Sequence, residues 1–178
     1  MTDRTRKDIM RAYNTLIKKS CMDKITVAQL AKEAGISKAT FYRYFKDKYD
    51  VMNYNYKVLL DSMATPEKSS SYKDLYRNLY KYGQENWKFL QNAFETIGRN
   101  SFGEYIETYS MQLVEKITMH NRGGLGLTEM EQLQCDVFSR GIPYMYRKWI
   151  FDKYSLNPDE AAQALYEIMP STLRDLWW

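Results

Sequence analysis

Gly35 lies between two short helix starts, one opening at Thr26 and one at Ser37, and this crowding constrains the fold more than any other feature of the chain. Thr26 followed by Gln29 reads as a capping box that opens a helix from Val27 to Ala34, with Val27, Leu30 and Ala31 turned inward. Gly35 ends it, because glycine accepts the left-handed conformation found just past a helix, and Ile36 can then return to the core. Ser37 caps a further helix from Lys38 to about Tyr44, and Asp47 caps another that begins at Lys48. Before all of these, Ile9, Tyr13, Leu16 and Ile17 recur at helical spacing and predict an amphipathic helix from about Thr5 to Ser20. Two short helices joined by a glycine turn and braced by a longer one form a helix-turn-helix, whose second short helix has the dimensions of a DNA major groove.

On that helix Phe41 and Phe45 face the core, while Ser37, Lys38 and Tyr42 share the outer face with Thr40 or Arg43 at its sides. Hydroxyls, an amine and phenols suit phosphates and base edges. Lys38 can meet a guanine or a phosphate, and Tyr42 a thymine methyl or a phosphate; the residue types leave both open. Lys48 stands in the first turn of its helix, where a cation is disfavoured by the helix dipole, so a nearby phosphate would explain its placement. Singly, each is also what a solvated lysine or a packing tyrosine looks like. Charge adds to the combined reading: residues 1–50 hold twelve Lys/Arg against six Asp/Glu, so a chain of net charge +4 divides into a basic N-terminal part and a mildly acidic remainder.

The run Ile-Thr-Val-Ala-Gln-Leu-Ala-Lys-Glu-Ala-Gly-Ile-Ser-Lys-Ala-Thr-Phe-Tyr-Arg-Tyr-Phe-Lys-Asp-Lys-Tyr-Asp, from Ile25 to Asp50, resembles the DNA-binding part of the TetR family of bacterial regulators over about the first 60 residues. The glycine turn, the Thr-Phe-Tyr-x-Tyr-Phe core and the lysine four residues after Tyr44 occur together. The resemblance implies an all-helical homodimer with three N-terminal helices for DNA, a fourth as connector, and a divergent body that binds a small effector and dimerises through its last two long helices. It places Thr26, Thr40, Tyr42, Tyr44 and Lys48 near phosphates, and Lys38 and Tyr42 nearest the base edges. A short hydrophobic penultimate helix followed by Asn-Pro-Asp-Glu at 157–160 makes the body similar to the subset related to a dihydroxyacetone-kinase regulator, in which some members activate transcription with a partner protein.

The expected organisation is residues 1–47 for DNA, 48–64 as a connecting helix carrying Val51, Tyr54, Val58 and Leu59, and 65–178 as effector-binding and dimerisation domain, in an all-α fold of about nine helices. The polar stretch Thr65–Ser71 marks the boundary. Beyond it, Ser71 caps a helix from Tyr72 to about Tyr82, where Gly83 breaks the pattern, and Trp87, Leu90, Phe94 and Ile97 mark the next helix. A helix over about 102–120, a glycine loop, a second capping box at Thr128 and Glu131, and Pro158 behind its Asn157 cap predict the remaining helices, the last with Ala161, Ala164, Leu165 and Ile168 inward.

Sixteen tyrosines and four tryptophans offer material for a ligand cavity. Tyr80, Trp87, Phe94, Tyr105, Tyr109, Phe138, Tyr144 and Trp149 are the candidates for a small hydrophobic or aromatic effector, and core packing accounts for them equally well. The helices over 128–150 and 158–169 carry more apolar surface than one small body needs, which suits a four-helix dimer interface and hence a near-palindromic operator with half-sites roughly 34 Å apart or somewhat more. Trp177 and Trp178 are expected to fold back on the body or a partner subunit.

Other classes have little support. No HExxH, GxSxG or phosphate-loop motif occurs, His120 is the single histidine, and Cys21 and Cys135 have no metal-ligand neighbours, so neither an enzyme nor a cofactor is expected. A charged N-terminus and the lack of about 18 consecutive apolar residues argue for a cytoplasmic protein and against a membrane partner. The preferred function is a repressor released by a small molecule. An activator governed by a partner protein or ligand, or a helical adaptor that binds no DNA, are the alternatives.

Overall fold

The computed structural model describes residues 2–65, 67–97, 100–121, 123–151 and 154–174, and among these every regular element is helical. The order is α1 (Thr2–Ile17), a 3-10 turn (Met22–Lys24), α2 (Val27–Glu33), α3 (Lys38–Tyr42), α4 (Lys48–Met63), α5 (Tyr72–Glu85), α6 (Trp87–Phe94), α7 (Phe102–Asn121), α8 (Glu129–Ile150), α9 (Pro158–Ile168) and α10 (Ser171–Arg174). No described helix is long and apolar enough to cross a membrane.

The N-terminal helices form as their capping chemistry dictates. The Thr26 hydroxyl accepts from the Gln29 amide while the Gln29 side chain returns to the Thr26 N–H. Gly35 takes φ +67, and the Ile36 N–H closes back on the Ala31 carbonyl at 2.9 Å, which turns the chain sharply into α3. Ile9, Tyr13, Leu30, Phe41, Phe45 and Val51 bury their side chains in one another. Arg6 fastens α1 to the start of α4 by laying its guanidinium 5.9 Å from the Phe45 ring centroid and 5.0 Å from that of Tyr54.

In the C-terminal bundle α5 packs chiefly on α9, and α7 on α8, with α4 reaching in against α7. Gly83 does not end α5, which continues to Glu85. Its lack of a side chain serves packing instead: a Cβ there would stand 2.6 Å from the Tyr146 hydroxyl and 3.1 Å from both Ile150 Cδ1 and a Trp149 ring carbon. Pro143 lies inside α8 and is buried.

α9 also differs from expectation. It buries Ala161, Ala162 and Leu165 against α5, which leaves Ala164 and Ile168 on the outer side. Val58 likewise faces outward, because α4 turns Val51, Met52, Tyr56 and Leu60 to the interior. Leu173 is fully buried, whereas Trp177 and Trp178 lie outside the described residues.

Candidate nucleic-acid interface

α3 divides its residues cleanly between two environments. Phe41 is 0% exposed and Tyr42, the next residue, is 57% exposed. Lys38 and Arg43 are exposed beside Tyr42, and Thr40 is half-buried. Ser37 caps the helix by accepting from the Thr40 N–H at 3.0 Å, and its hydroxyl lies 3.0 Å from that of Thr40. The short helix therefore presents Ser37, Lys38, Thr40 and Tyr42 from a rigid base, because Phe41 and Phe45 hold its other side in the core. Thr26 is exposed at the start of α2, with its hydroxyl engaged in the capping box. Tyr44 is half-buried against the core.

Lys48 has a structural job. Its ammonium donates to the Met22 carbonyl at 2.8 Å and the Asp23 carbonyl at 3.0 Å, so it closes the 3-10 turn onto the start of α4. It also lies 5.0 Å from the Tyr49 ring centroid. An ammonium has three donors, and two are accounted for by these carbonyls.

The start of α4 is tied to the bundle. Asp47 accepts from the Asp50 N–H through one carboxylate oxygen and from the Asn100 amide through the other. Asn53, buried in α4, donates to the Asn100 carbonyl at 3.0 Å. Further along α4, Asp61 accepts from the Tyr109 hydroxyl of α7 and pairs with Lys57. Burial, reinforced by Asp61, pushes the Tyr109 phenol above its ordinary range.

The bundle encloses an apolar cavity of about 50 Å³ among α4, α5, α7 and α8, with Tyr56, Tyr72, Tyr76, Tyr109, Pro143 and Tyr146 on its wall. The Tyr76 hydroxyl, fully buried there, has no hydrogen-bond partner among the described residues. Of the aromatic residues singled out in the sequence, the cavity takes in Tyr109. Tyr80 stacks edge-on against Tyr146 and Trp149, Phe94 against Phe102, and Phe138 against Tyr76, while Tyr105 stacks on Tyr109; these rings fill the core around the cavity. Trp87 lies on the outside beside α1, and Tyr144 is exposed on α8. The residues that sequence reasoning missed, Tyr56, Tyr72, Tyr76 and Tyr146, carry only one legible signal, the i, i+4 placement of Tyr72 and Tyr76 on one face of α5.

Comparison with known proteins agrees with this architecture. Residues 9–54 match the family model for bacterial regulatory proteins of the tetR family, and residues 70–171 match one for a transcriptional regulator C-terminal region. An uncharacterized HTH-type transcriptional regulator of Haemophilus influenzae is 28% identical over 95 residues, which cover 48% of this chain and 51% of that protein. The matched part thus spans about half the length of this curated relative. Among solved structures, the dihydroxyacetone kinase operon activator DhaS is similar with a TM-score of 0.63 at 17% identity over 98% of both chains. The fatty acid degradation regulator FadR from Bacillus halodurans follows at 0.55 and 16% identity, over 97% of this chain and 96% of that one. At such identities the likeness is one of fold.

Proposed function

Because this chain belongs to the TetR family of bacterial regulatory proteins, we propose that it is a homodimeric, sequence-specific DNA-binding transcriptional regulator that α3 docks into the major groove. One observation carries this reading: Ser37, Lys38, Thr40 and Tyr42 stand together on the outer side of α3 while Phe41 anchors it from within. Thr26, Tyr44 and Lys48 flank that face as phosphate contacts, Lys48 with the donor left over from its two carbonyl bonds. Residues 1–47 act as the reading part, 48–64 as the connector and 65–178 as the regulatory and dimerising part.

The dimer forms on α8 and α9. Met130, Leu133, Val137 and Tyr144 follow one another at helical spacing along the outer face of α8, and Ile168 is exposed on α9; all are at least half exposed in the single chain. A second copy of the same pair of helices covers that stripe and completes a four-helix interface. The two copies of α3 then read a near-palindromic operator.

The cavity lined by Tyr56, Tyr72, Tyr76 and Tyr109 is the effector site, and the unsatisfied Tyr76 hydroxyl supplies a polar handle. Effector entry acts on α4 through the Tyr109 to Asp61 bond and releases DNA, which makes the protein a repressor. A second reading is favoured by the cavity's size. At about 50 Å³ it is well below the volume of drug-sized ligand sites, and this suits an activator controlled by a partner protein or a very small ligand.

Fluorescence anisotropy on duplexes selected from random sequence tests the DNA reading. Saturable binding of two chains per duplex, with the logarithm of the affinity falling linearly with log salt, is the expected result. Association that is absent even at low salt would leave the helical adaptor as the better description.

A further inference from the structure

A second cavity lies outside the bundle. It is a cleft of about 470 Å³ between the end of α1 with the following 3-10 turn on one side and the start of α6 on the other. That volume falls within the usual range for small-molecule sites, unlike the cavity in the bundle. Ile17, Met22, Met52, Phe89 and the exposed ring of Trp87 give it an apolar floor and wall.

Its rim is cationic. Lys18, Lys19 and Lys88 line it with a single carboxylate, Glu85, and none of these lysines forms a salt bridge with a described residue. Lys88 lies 5.4 Å from the Trp87 ring centroid, so a cation and an aromatic face are presented together. No side-chain hydrogen bond caps α6, whose first residues Trp87, Lys88 and Phe89 line the same cleft, while Asn86 gives its side-chain amide to the Tyr82 carbonyl at 2.9 Å.

We propose that this cleft binds an amphipathic organic anion, with the apolar body of the ligand against Trp87, Phe89 and Met22 and its carboxylate or sulfonate among Lys18, Lys19 and Lys88. The site is distinct from the bundle cavity. Its two walls belong to the N-terminal helices and to the bundle, so the ligand ties α1 to α6 at the junction where Asn92 already meets Cys21 Sγ at 3.9 Å.

The full chain titrated with 8-anilinonaphthalene-1-sulfonate tests the proposal, with the neutral N-phenyl-1-naphthylamine run in parallel. The expected result is saturable binding of one sulfonate per chain and about tenfold weaker binding in Lys18→Glu/Lys88→Glu, where two attractions become repulsions. The neutral probe should bind the wild type more weakly than the sulfonate and be indifferent to the charge reversal. Asn92→Trp fills the same exposed cleft without changing charge and should block the sulfonate as well. Unaltered sulfonate affinity in both variants, equal affinity for the two probes, or no saturable binding would overturn the proposal.

Discussion

The side-chain amide of Asn100 donates to the carboxylate of Asp47 at 3.0 Å, across the junction between the segment preceding α7 and the cap of α4. The same residue accepts from Asn53 through its backbone carbonyl and holds φ at +69, the left-handed region that asparagine tolerates better than other side chains. The start of α4, which directly follows the helix-turn-helix, is therefore fixed to the bundle by one residue in an uncommon conformation.

Asn100→Ala removes the bond to Asp47 and strains the backbone, and should lower stability by about 1–3 kcal/mol. Asn100→Gly loses the same bond without the strain. Urea denaturation should therefore order the proteins as wild type, Gly, Ala; an alanine variant as stable as the glycine variant would show that the backbone conformation stores no strain.

The contact of Gly83 with Tyr146 predicts a reversal of sign. Gly83→Ala should cost about 1–3 kcal/mol through overpacking against the Tyr146 hydroxyl, less about 1 kcal/mol recovered from helix propensity. Tyr146→Phe alone should also destabilise, because it removes the bond to the Leu79 carbonyl. In the Gly83→Ala background the same change makes room and should raise the melting temperature. Simple additivity of the two losses would mean that α5 and α8 move apart instead.

These two sites show what could be read from the sequence and what could not. Caps are local, so Thr26, Ser37, Asp47, Ser71, Thr128 and Asn157 marked their helices correctly from residue type and spacing. Gly83 looked like a breaker because its reason lies 63 positions away at Tyr146, a distance in sequence that no local pattern reports. For the candidate site, the outer face of α3 was legible because Phe41 and Tyr42 differ in environment by one step of a helix. The cavity was not, since an aromatic count does not say which rings only fill the core, as Tyr80 does against Tyr146 and Phe94 against Phe102, and which also border a gap, as Tyr56 and Tyr76 do. Likewise the sequence suggested a phosphate as the reason for Lys48 and did not reveal that its ammonium bonds two carbonyls of the 3-10 turn.

The buried tyrosines set an alkaline limit on stability. Burial raises the phenols of Tyr56, Tyr72, Tyr76, Tyr80 and Tyr146 above their ordinary value. With the folded pKa above the unfolded one, their contribution is fully present below the unfolded value of about 10 and is lost as pH rises beyond it. Absorbance at 295 nm and circular dichroism followed together should show these phenols ionising in step with unfolding. Complete ionisation of every tyrosine with the helical signal intact would contradict their burial.

For the dimer, Val137→Glu is the informative change, because Val137 is 66% exposed in the single chain and a charge there costs the isolated fold little. In the proposed interface it meets its own apolar counterpart. Sedimentation should show the wild type as a dimer and the variant as a helical monomer; a variant that remains dimeric would move the interface away from this face of α8.

The reading of α3 itself is tested most directly by capturing genomic duplex fragments on the purified wild type and on Lys38→Ala/Tyr42→Ala, each at low and moderate salt. Both residues are exposed, so the variant keeps its fold, whereas a change at Lys48 would also release the 3-10 turn. The expected result is one near-palindromic fragment held by the wild type, weakened steeply by salt and lost from the variant. Equal capture by both proteins, or no fragment preferred over bulk DNA at either salt, would contradict the assignment of α3 as the element that reads DNA.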